Sequence, residues 1–490
     1  MITSKNGIDT NNSYKKLSVE LPLPEKATTS QNGRSKFKSE HFLYALIFIL
    51  TAVTMVVVFQ QHLSEILQLE KIDVYNDEYD QCQLQLVESI PEHLNFSKNS
   101  PRFLSTYDSW KLLLNSTESV LNIGSFYWTL LGSDVINDPS AGQGEDIFNS
   151  LMKLGTAGKV NIRIAQSAPS DMEPDYDTQV LQKNGATQVR SLNFTRLLGG
   201  GVLHTKFWIS DHRHLYLGSA NMDWRSLTQV KEMGVLALNC PILATDLEKI
   251  FEEYWLLSTN SSTIPTQWPS EYSTKFNFQH PMHFSINNKY KQLAFLSSSP
   301  PPLTASGRVD DIAAIVRIIS SAKEFVNIAV MDYIPMLIYS QNKTYWPIID
   351  DALRSAAIDR KIKIKLLISW WKHSNPAEDY FLRSLQVLSE ALPHVDIQIK
   401  RFIVPSDENE AKIPFGRVNH NKYMVTDNVA YIGTSNWSGD YFTNTAGVGL
   451  VLQDDPSEVN SISTIRKDLL SVFERDWNSK YAVDFKINAL

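Results

Sequence analysis

The sequence predicts an α/β fold built as two tandem sandwich-type units behind one N-terminal membrane-spanning helix. Three observations carry this expectation. Strand-like and helix-like segments alternate, the alternation occurs twice at an offset of about 205 residues, and one long apolar run stands before both copies. At 490 residues with 43% hydrophobic content, the chain has room for two or three packed domains.

The apolar run comes first in the chain. Residues 42–59, FLYALIFILTAVTMVVVF, are 18 uncharged residues, enough as a helix to cross a hydrocarbon core of about 30 Å. A cleaved signal peptide fits less well, because 41 residues precede the run and no small-residue cleavage site follows it. Arg34, Lys36 and Lys38 flank its start, while Glu65 and Glu70 follow it, so the amino terminus is expected in the cytosol. The organisation expected is a cytosolic tail over 1–41, an anchor over 42–60, a lumenal stalk over 61–80, and units over 81–287 and 288–490. Within the tail, Tyr14-Lys15-Lys16-Leu17 has the form of a tyrosine-based sorting signal.

The two units read in parallel. QLVESIP (85–91) and QLAFLSSSP (292–300) are strand-like, and each leads into a helix-like segment, SWKLLL or IAAIVRII. Next come SVLNIGSFYWTL (119–130) and EFVNIAVMDYIPM (324–336), short β-branched runs that enter a polar or aromatic turn. Helical EDIFNSLMKL and strand-like KVNIRIAQS follow the first, while PIIDDALRSAA and KIKIKLLIS follow the second. The period is too long for a solenoid repeat and fits two fused homologous units.

Compartment and charge bound the function. Asn95, Asn115, Asn193, Asn260 and Asn342 open glycosylation triplets beyond the span. The two cysteines, Cys82 and Cys240, are expected to pair in an oxidising lumen. So few cysteines, with no clustered histidine pair, argue against a zinc site. Beyond residue 61 the chain carries 39 basic and 49 acidic side chains. A general nucleic-acid coat would be basic, so any polyanion must be held by a local site.

That site is written twice. His204 to Asn221 reads H-x-K-x4-D-x6-G-S-x-N, and His420 to Asn436 reads H-x-K-x4-D-x5-G-T-S-N. At about 5% usage per residue, one copy arises by chance with a frequency on the order of 10⁻⁸ per position. On a strand, H-x-K puts both side chains on one face. One copy thus supplies an imidazole, an ammonium and, from Asn221 or Asn436, an amide. Two facing copies supply the set a phosphodiester needs: donors for the non-bridging oxygens and two imidazoles for the in-line bonds. The candidate catalytic set is His204, Lys206, Asp211, His420, Lys422 and Asp427, with the aspartates expected to brace the motif rather than touch phosphate. Ser219, Thr434 and Ser435 support the turns. Asn436 also opens a glycosylation triplet, but its place in the pocket argues that it escapes sugar. His212 and His214 read as a solvated strand face, and Tyr127, Trp128, Trp370 and Trp371 as core or rim. No metal is required for the chemistry, and a remote structural divalent cation is compatible with the chain.

The doubled motif is that of the phospholipase D superfamily, whose two copies meet at a pseudo-twofold interface. SFYWTL, LHTKFW, LGSANMDWRSLTQVKE, VNHNKYMVT and YIGTSNWSG, behind a membrane anchor, resemble the phospholipase D3/D4 group over residues 81–490. That resemblance implies a type II membrane glycoprotein of the secretory and endolysosomal system. It also implies a 5′-to-3′ exonuclease that converts single-stranded DNA and RNA to 3′-phosphonucleotides. Synthesis of bis(monoacylglycero)phosphate, a phospholipid reaction of the same chemistry, is attributed to the group too. It further implies His204 as nucleophile, His420 as general acid and base, and Lys206, Lys422, Asn221 and Asn436 as phosphate ligands. Thr434 in place of the motif's Ser, and the shorter spacing in the second copy, keep a hydroxyl and the turn. Two intact motifs argue against a noncatalytic scaffold. Whether the substrate is nucleic acid or phospholipid stays open at this level, as do a homodimer and a released lumenal form.

Overall fold

Two short runs buried on both faces, Val120–Ser125 and Phe325–Val330, lie at the centre of the architecture. Being apolar and β-branched, they suit interior strands covered on both sides. Each pairs in parallel with the strand that follows its helix, Asn161–Ser167 or Lys363–Ser369, and antiparallel with a motif strand, Phe207–Ser210 or Lys422–Thr426. The computed structural model describes residues 80–170, 174–340, 342–458 and 463–486. The expected tail with its tyrosine signal, the anchor over 42–60, and the stalk up to residue 79 lie outside the described residues. Among the described residues no helix is long and apolar enough to cross a membrane.

The strands join one 18-stranded sheet with two arms. In the first arm the order is Gln188–Leu192, Asn161–Ser167, Val120–Ser125, Phe207–Ser210, His214–Gly218, Glu232–Leu238, Asp80–Ser89 and Leu104–Ser105. In the second it is Ile397–Phe402, Lys363–Ser369, Phe325–Val330, Lys422–Thr426, Val429–Gly433, Gly447–Asp454, Tyr290–Ser299 and Val309–Asp310. The order and the strand directions are the same in both. Strand Met282–Ile286 links the arms, pairing antiparallel with Tyr290–Ser299 and parallel with Asp80–Cys82. The expected boundary at 287/288 falls in the turn of this hairpin, at Asn287 and Asn288, both left-handed. Cys82 and Cys240 are joined as a disulfide, with Cα atoms 4.8 Å apart.

Alternation along the strands sorts side chains into three cores. Leu121, Ile123 and Trp208 face helices Thr106–Ser116 and Gly142–Thr156. Val326, Ile328 and Met424 face helices Asp311–Ser321, Ile348–Arg360 and Ala377–Ala391. Between them, Phe207 and Ile209 of one arm share a core with Tyr423 and Val425 of the other, alongside helices Pro241–Leu257 and Ile465–Trp477. Trp208 stacks on Trp110 at 5.0 Å and 20°, both fully buried. Such a pair adds about 0.5–1.5 kcal/mol beyond its area. Trp208 and Met424 continue the faces that His204–Lys206 and His420–Lys422 begin, so the outer cores anchor the motif strands.

Candidate active site

Each motif histidine sits where a strand of one arm touches the other arm. The backbone N–H of His204 donates to the Ala446 carbonyl at 2.9 Å, and that of Ala446 to the Val202 carbonyl at 3.0 Å. The mirror exchange joins His420 N–H to the Lys231 carbonyl at 2.8 Å and Lys231 N–H to the Val418 carbonyl at 2.9 Å. The doubled motif is thereby brought to one joint. Backbone pairing of this kind holds the two imidazoles on a rigid frame rather than on mobile loops.

The imidazoles differ in what holds them. His204 Nδ1 lies 2.9 Å from the Thr434 carbonyl, which can only accept, so Nδ1 carries the proton and Nε2 keeps its lone pair. Phe126 and Tyr441 flank the ring, with centroids at 5.1 and 4.9 Å. Burial, then the positive charges of Lys206, Lys422 and His420, press its pKa well below the usual value, so it is neutral. His420 Nδ1 instead donates to the Glu232 carboxylate at 2.9 Å. Burial lowers its pKa too, but Glu232 works against that, so it takes up a proton more readily than His204.

Glu232 is a charged residue of the site that sequence reading missed. Its carboxylate also accepts from Ser219 Oγ at 2.5 Å and Ser226 Oγ at 2.9 Å, so it is held fully buried and fully paired. Ser219 therefore supports the site through a charge, whereas Thr434 does so through its carbonyl. Each hydroxyl also accepts a backbone N–H, from Met233 or Val448, at 3.0 Å. Ser435 is buried in the same turn.

The lysines fold back alike: Lys206 Nζ donates to the His204 carbonyl at 2.6 Å and Lys422 Nζ to the His420 carbonyl at 2.9 Å. Burial draws the Lys422 pKa down to about 7, against the pull of Glu232 and Asp332. The asparagine amides also match, Asn221 Nδ2 donating to Tyr127 Oη at 3.3 Å and Asn436 Nδ2 to Tyr441 Oη at 3.1 Å. Both Oδ1 atoms are buried without a partner among the described residues. Tyr127, read as core or rim, is thus part of the site, and its hydroxyl donates to Asp223 at 2.8 Å. Trp128 is core as expected, fully buried and bonded to Ser125.

Asp211 and Asp427 do not join the histidines, which corrects their place in the catalytic set. They stand at the far ends of the motif strands. Asp211 accepts the backbone N–H groups of Glu118, Ser119 and Val120 at 2.7–2.9 Å, and Asp427 those of Lys323 and Glu324 at 2.9 and 3.0 Å. Burial resists ionisation of Asp211, but the Ser119 hydroxyl and these amides prevail and take its pKa down to about 2. His212 pairs with Glu248 at 2.6 Å and His214 accepts from Asn239 N–H at 3.0 Å, both structural contacts. Asn95, Asn115, Asn193, Asn260 and Asn342 are exposed, whereas Asn436 is buried. Among the described residues one group of side chains is spaced for a metal, His93, Asp407 and Glu410. Glu410 is already paired with His93 at 2.7 Å and Arg417 at 3.2 Å, and the group contains no motif residue.

Comparison with known proteins follows the same lines. The family model described as "PLD3/4, PLD-like domain" matches residues 97–407, a stretch that includes the first motif. The chain is 49% identical over 412 residues to the 5′-3′ exonuclease PLD3 of Homo sapiens, covering 84% of this chain and 82% of that one. It is 43% identical over 405 residues to the 5′-3′ exonuclease PLD4 of Mus musculus, covering 82% and 80%. Among solved structures, a phosphatidylserine synthase of Haemophilus influenzae superposes with a TM-score of 0.52 at 11% identity, over 78% of this chain and 85% of that one. At that identity the likeness speaks for the fold alone. A doubled H-x-K motif meeting at one joint, a family model over residues 97–407 and relatives near half identity leave one conclusion: the chain belongs to the PLD3/4, PLD-like domain family.

Proposed function

We propose that this chain is an acid 5′-to-3′ exonuclease that releases 3′-phosphonucleotides from single-stranded DNA and RNA by a two-histidine mechanism. The observation that carries the mechanism is the unlike environment of the histidines, one neutral against a carbonyl and one held by a carboxylate. The substrate class rests on the relatives named 5′-3′ exonuclease, matched over about four-fifths of their length.

In the first step His204 Nε2 attacks phosphorus, and a P–N bond forms as the P–O5′ bond breaks. His420 Nε2 gives its proton to the departing O5′. In the second step His420, now neutral, takes a proton from water. The hydroxide formed attacks phosphorus, the P–N bond breaks, and the 3′-phosphate is released. Glu232 holds the His420 imidazolium and fixes its tautomer. Lys206, Lys422, Asn221 and Asn436 hold the non-bridging oxygens, supplying the positive charge that the transition state needs without a metal.

The matching arms support two fused units related by a pseudo-twofold axis, with residues 42–60 as the anchor of a type II membrane protein. The five exposed acceptor asparagines and the disulfide support a lumenal catalytic part. Buried carboxyls such as Glu253, whose pKa is raised well above its usual value by burial, support work in an acidic endolysosomal lumen.

The test incubates the purified lumenal part at pH 5 with 5′-hydroxyl single-stranded DNA and, separately, with phosphatidylglycerol. Release of 3′-phosphonucleotides from the DNA is expected. Turnover of the lipid alone would replace the exonuclease reading with a phospholipid hydrolase or transferase of the same chemistry.

A further inference from the structure

Residues 199–201 and 415–417 stand at equal distances before His204 and His420, and they share a backbone conformation. Gly199 and Gly201 have φ of 78° and 91°, and Phe415 and Arg417 have φ of 57° and 58°. Glycine enters this left-handed region freely, whereas a side chain does so under strain. Strain of that kind persists where the surroundings hold it, and it concentrates at functional sites.

Arg417 has a structural reason to stay. It is buried, donates to the Pro405 and Glu92 carbonyls at 2.9 and 3.0 Å, and pairs with Glu410. Phe415 has no such reason. The residue is 59% exposed, and its ring lies stacked on His373 at 4.7 Å and 22°, with Trp371 at 6.4 Å. At the counterpart, Gly199, an added Cβ would meet nothing within 4 Å. The first arm leaves open space where the second presents an aromatic face.

That face is tied to the active site from both sides. The Pro414 carbonyl accepts from Arg225 at 2.6 Å, and Arg225 pairs with Asp223, the acceptor of the Tyr127 hydroxyl that meets Asn221. The segment carrying Trp371 and His373 leaves strand Lys363–Ser369 directly after Ser369, whose hydroxyl accepts from Asn419 N–H, next to His420. Lys372 and Lys412 stand exposed on the two platform segments, cationic on a chain that is acidic overall.

We propose that Phe415, backed by His373, is a stacking platform for the base immediately 3′ of the scissile phosphate in a single-stranded polynucleotide. The inference rests on the exonuclease reading and deepens it. If His420 protonates the departing O5′, the departing strand lies on the His420 side, where this platform is. Stacking on one open ring face tolerates any base, and it needs an unpaired one, since bases in a duplex already stack on each other.

The experiment measures kcat/KM on three 5′-hydroxyl oligothymidylates: intact, abasic at the second position, and abasic at the third. Phe415→Gly keeps the left-handed backbone and copies Gly199, so folding is preserved, and Phe415→Trp keeps a ring. On the intact strand Phe415→Gly should lose about tenfold, the scale of one base–aromatic contact, and Phe415→Trp should stay within about twofold of wild type. The second-position lesion should cost wild type a similar factor and Phe415→Gly nothing more. The third-position lesion should leave the tenfold gap between the two proteins intact. A Phe415→Gly enzyme equal to wild type on the intact strand overturns the platform, and so does a tenfold gap that survives the second-position lesion. If wild type releases no nucleotide from any strand, the exonuclease reading itself falls instead.

Discussion

The two arms share a strand order, a joint and a motif, yet they treat their histidines differently. The first arm lends Glu232 to His420, whereas the second has Gly447 at the matching place, so His204 receives a backbone carbonyl. The reason is steric as well as chemical. A Cβ on Gly447 would lie 2.2 Å from Ser435 Oγ and 3.0 Å from Ser299 Oγ, so a side chain there would have to displace them. Below the motif strands the arms differ again: Leu203 faces the shared core, whereas its counterpart Asn419 is a buried polar residue, although Phe207 and Tyr423 both face that core. The two arms give a symmetric frame, and a few unlike side chains give the two imidazoles different surroundings.

The sharpest break in that comparison comes from the histidines themselves. His204→Ala should lower kcat by roughly 10⁴-fold or more, the scale of losing a nucleophile, and leave no phosphoryl adduct. His420→Ala should cost about 10²–10⁴-fold on oligonucleotide. It should still form the adduct on a p-nitrophenyl ester, whose leaving oxygen needs no proton, and the adduct should then decay slowly. Rapid quench with intact-mass measurement reads both outcomes. An adduct on His420 in the His204→Ala protein would reverse the roles.

Glu232→Gln keeps the shape of the site and removes the charge, making the two histidine environments more alike. Removing the interaction that raises the His420 pKa lets burial lower it further. As His420 must be protonated to act as the acid, the alkaline limb of the bell-shaped kcat profile should move to lower pH. The loss at the optimum should be about 10–100-fold, as for other carboxylates that orient a functional histidine. An unmoved limb would separate Glu232 from the protonation of His420.

Gly447→Ala tests why the carboxylate exists on one side only. Overpacking a buried site of this kind costs about 1–3 kcal/mol, measurable by urea unfolding of the protein. The equivalent change at an open glycine, Gly199→Ala, meets no atom within 4 Å, although its left-handed φ brings strain of its own. Equal stability of Gly447→Ala and wild type would remove the steric explanation of the asymmetry.

The smallest effect expected is a pH dependence of stability from the helix Pro241–Leu257. Glu253 is buried, and its pKa is raised by burial and by Asp246 against the opposing Arg308. A carboxyl that binds its proton more tightly when folded makes the folded state more stable at acid pH. That gain is lost as pH rises from the unfolded value, near 4, through the raised folded value. Glu253 should therefore contribute to a higher melting temperature at pH 5 than at pH 8. Glu253→Gln, which cannot ionise, should narrow the gap between those two temperatures, by about 2 °C or less per kcal/mol at this size. A gap unchanged by the substitution would place the effect elsewhere.

Much of this was legible in the chain because it depends on short-range covalent geometry. Strand alternation puts His204 with Lys206 and His420 with Lys422 on one face, whatever packs around them. At about 3.3 Å per residue, Asp211 and Asp427 lie some 16 Å beyond the lysines, so a bracing role could be read in advance. The alternating apolar runs fell where strands Val120–Ser125 and Phe325–Val330 and their helices stand. The cysteine count and the compartment expected from the sequence pointed to the disulfide that joins Cys82 and Cys240. What no local rule supplies is which distant group each strand end meets. Glu232 reaches His420 across 188 residues, and the Thr434 carbonyl reaches His204 across 230. Those partners are chosen by the packing of two arms through a shared core, as is the exposure of Phe415 beside His373. The motif itself repeats the same residues; the difference between its two copies is made by neighbours that only the folded arms bring together.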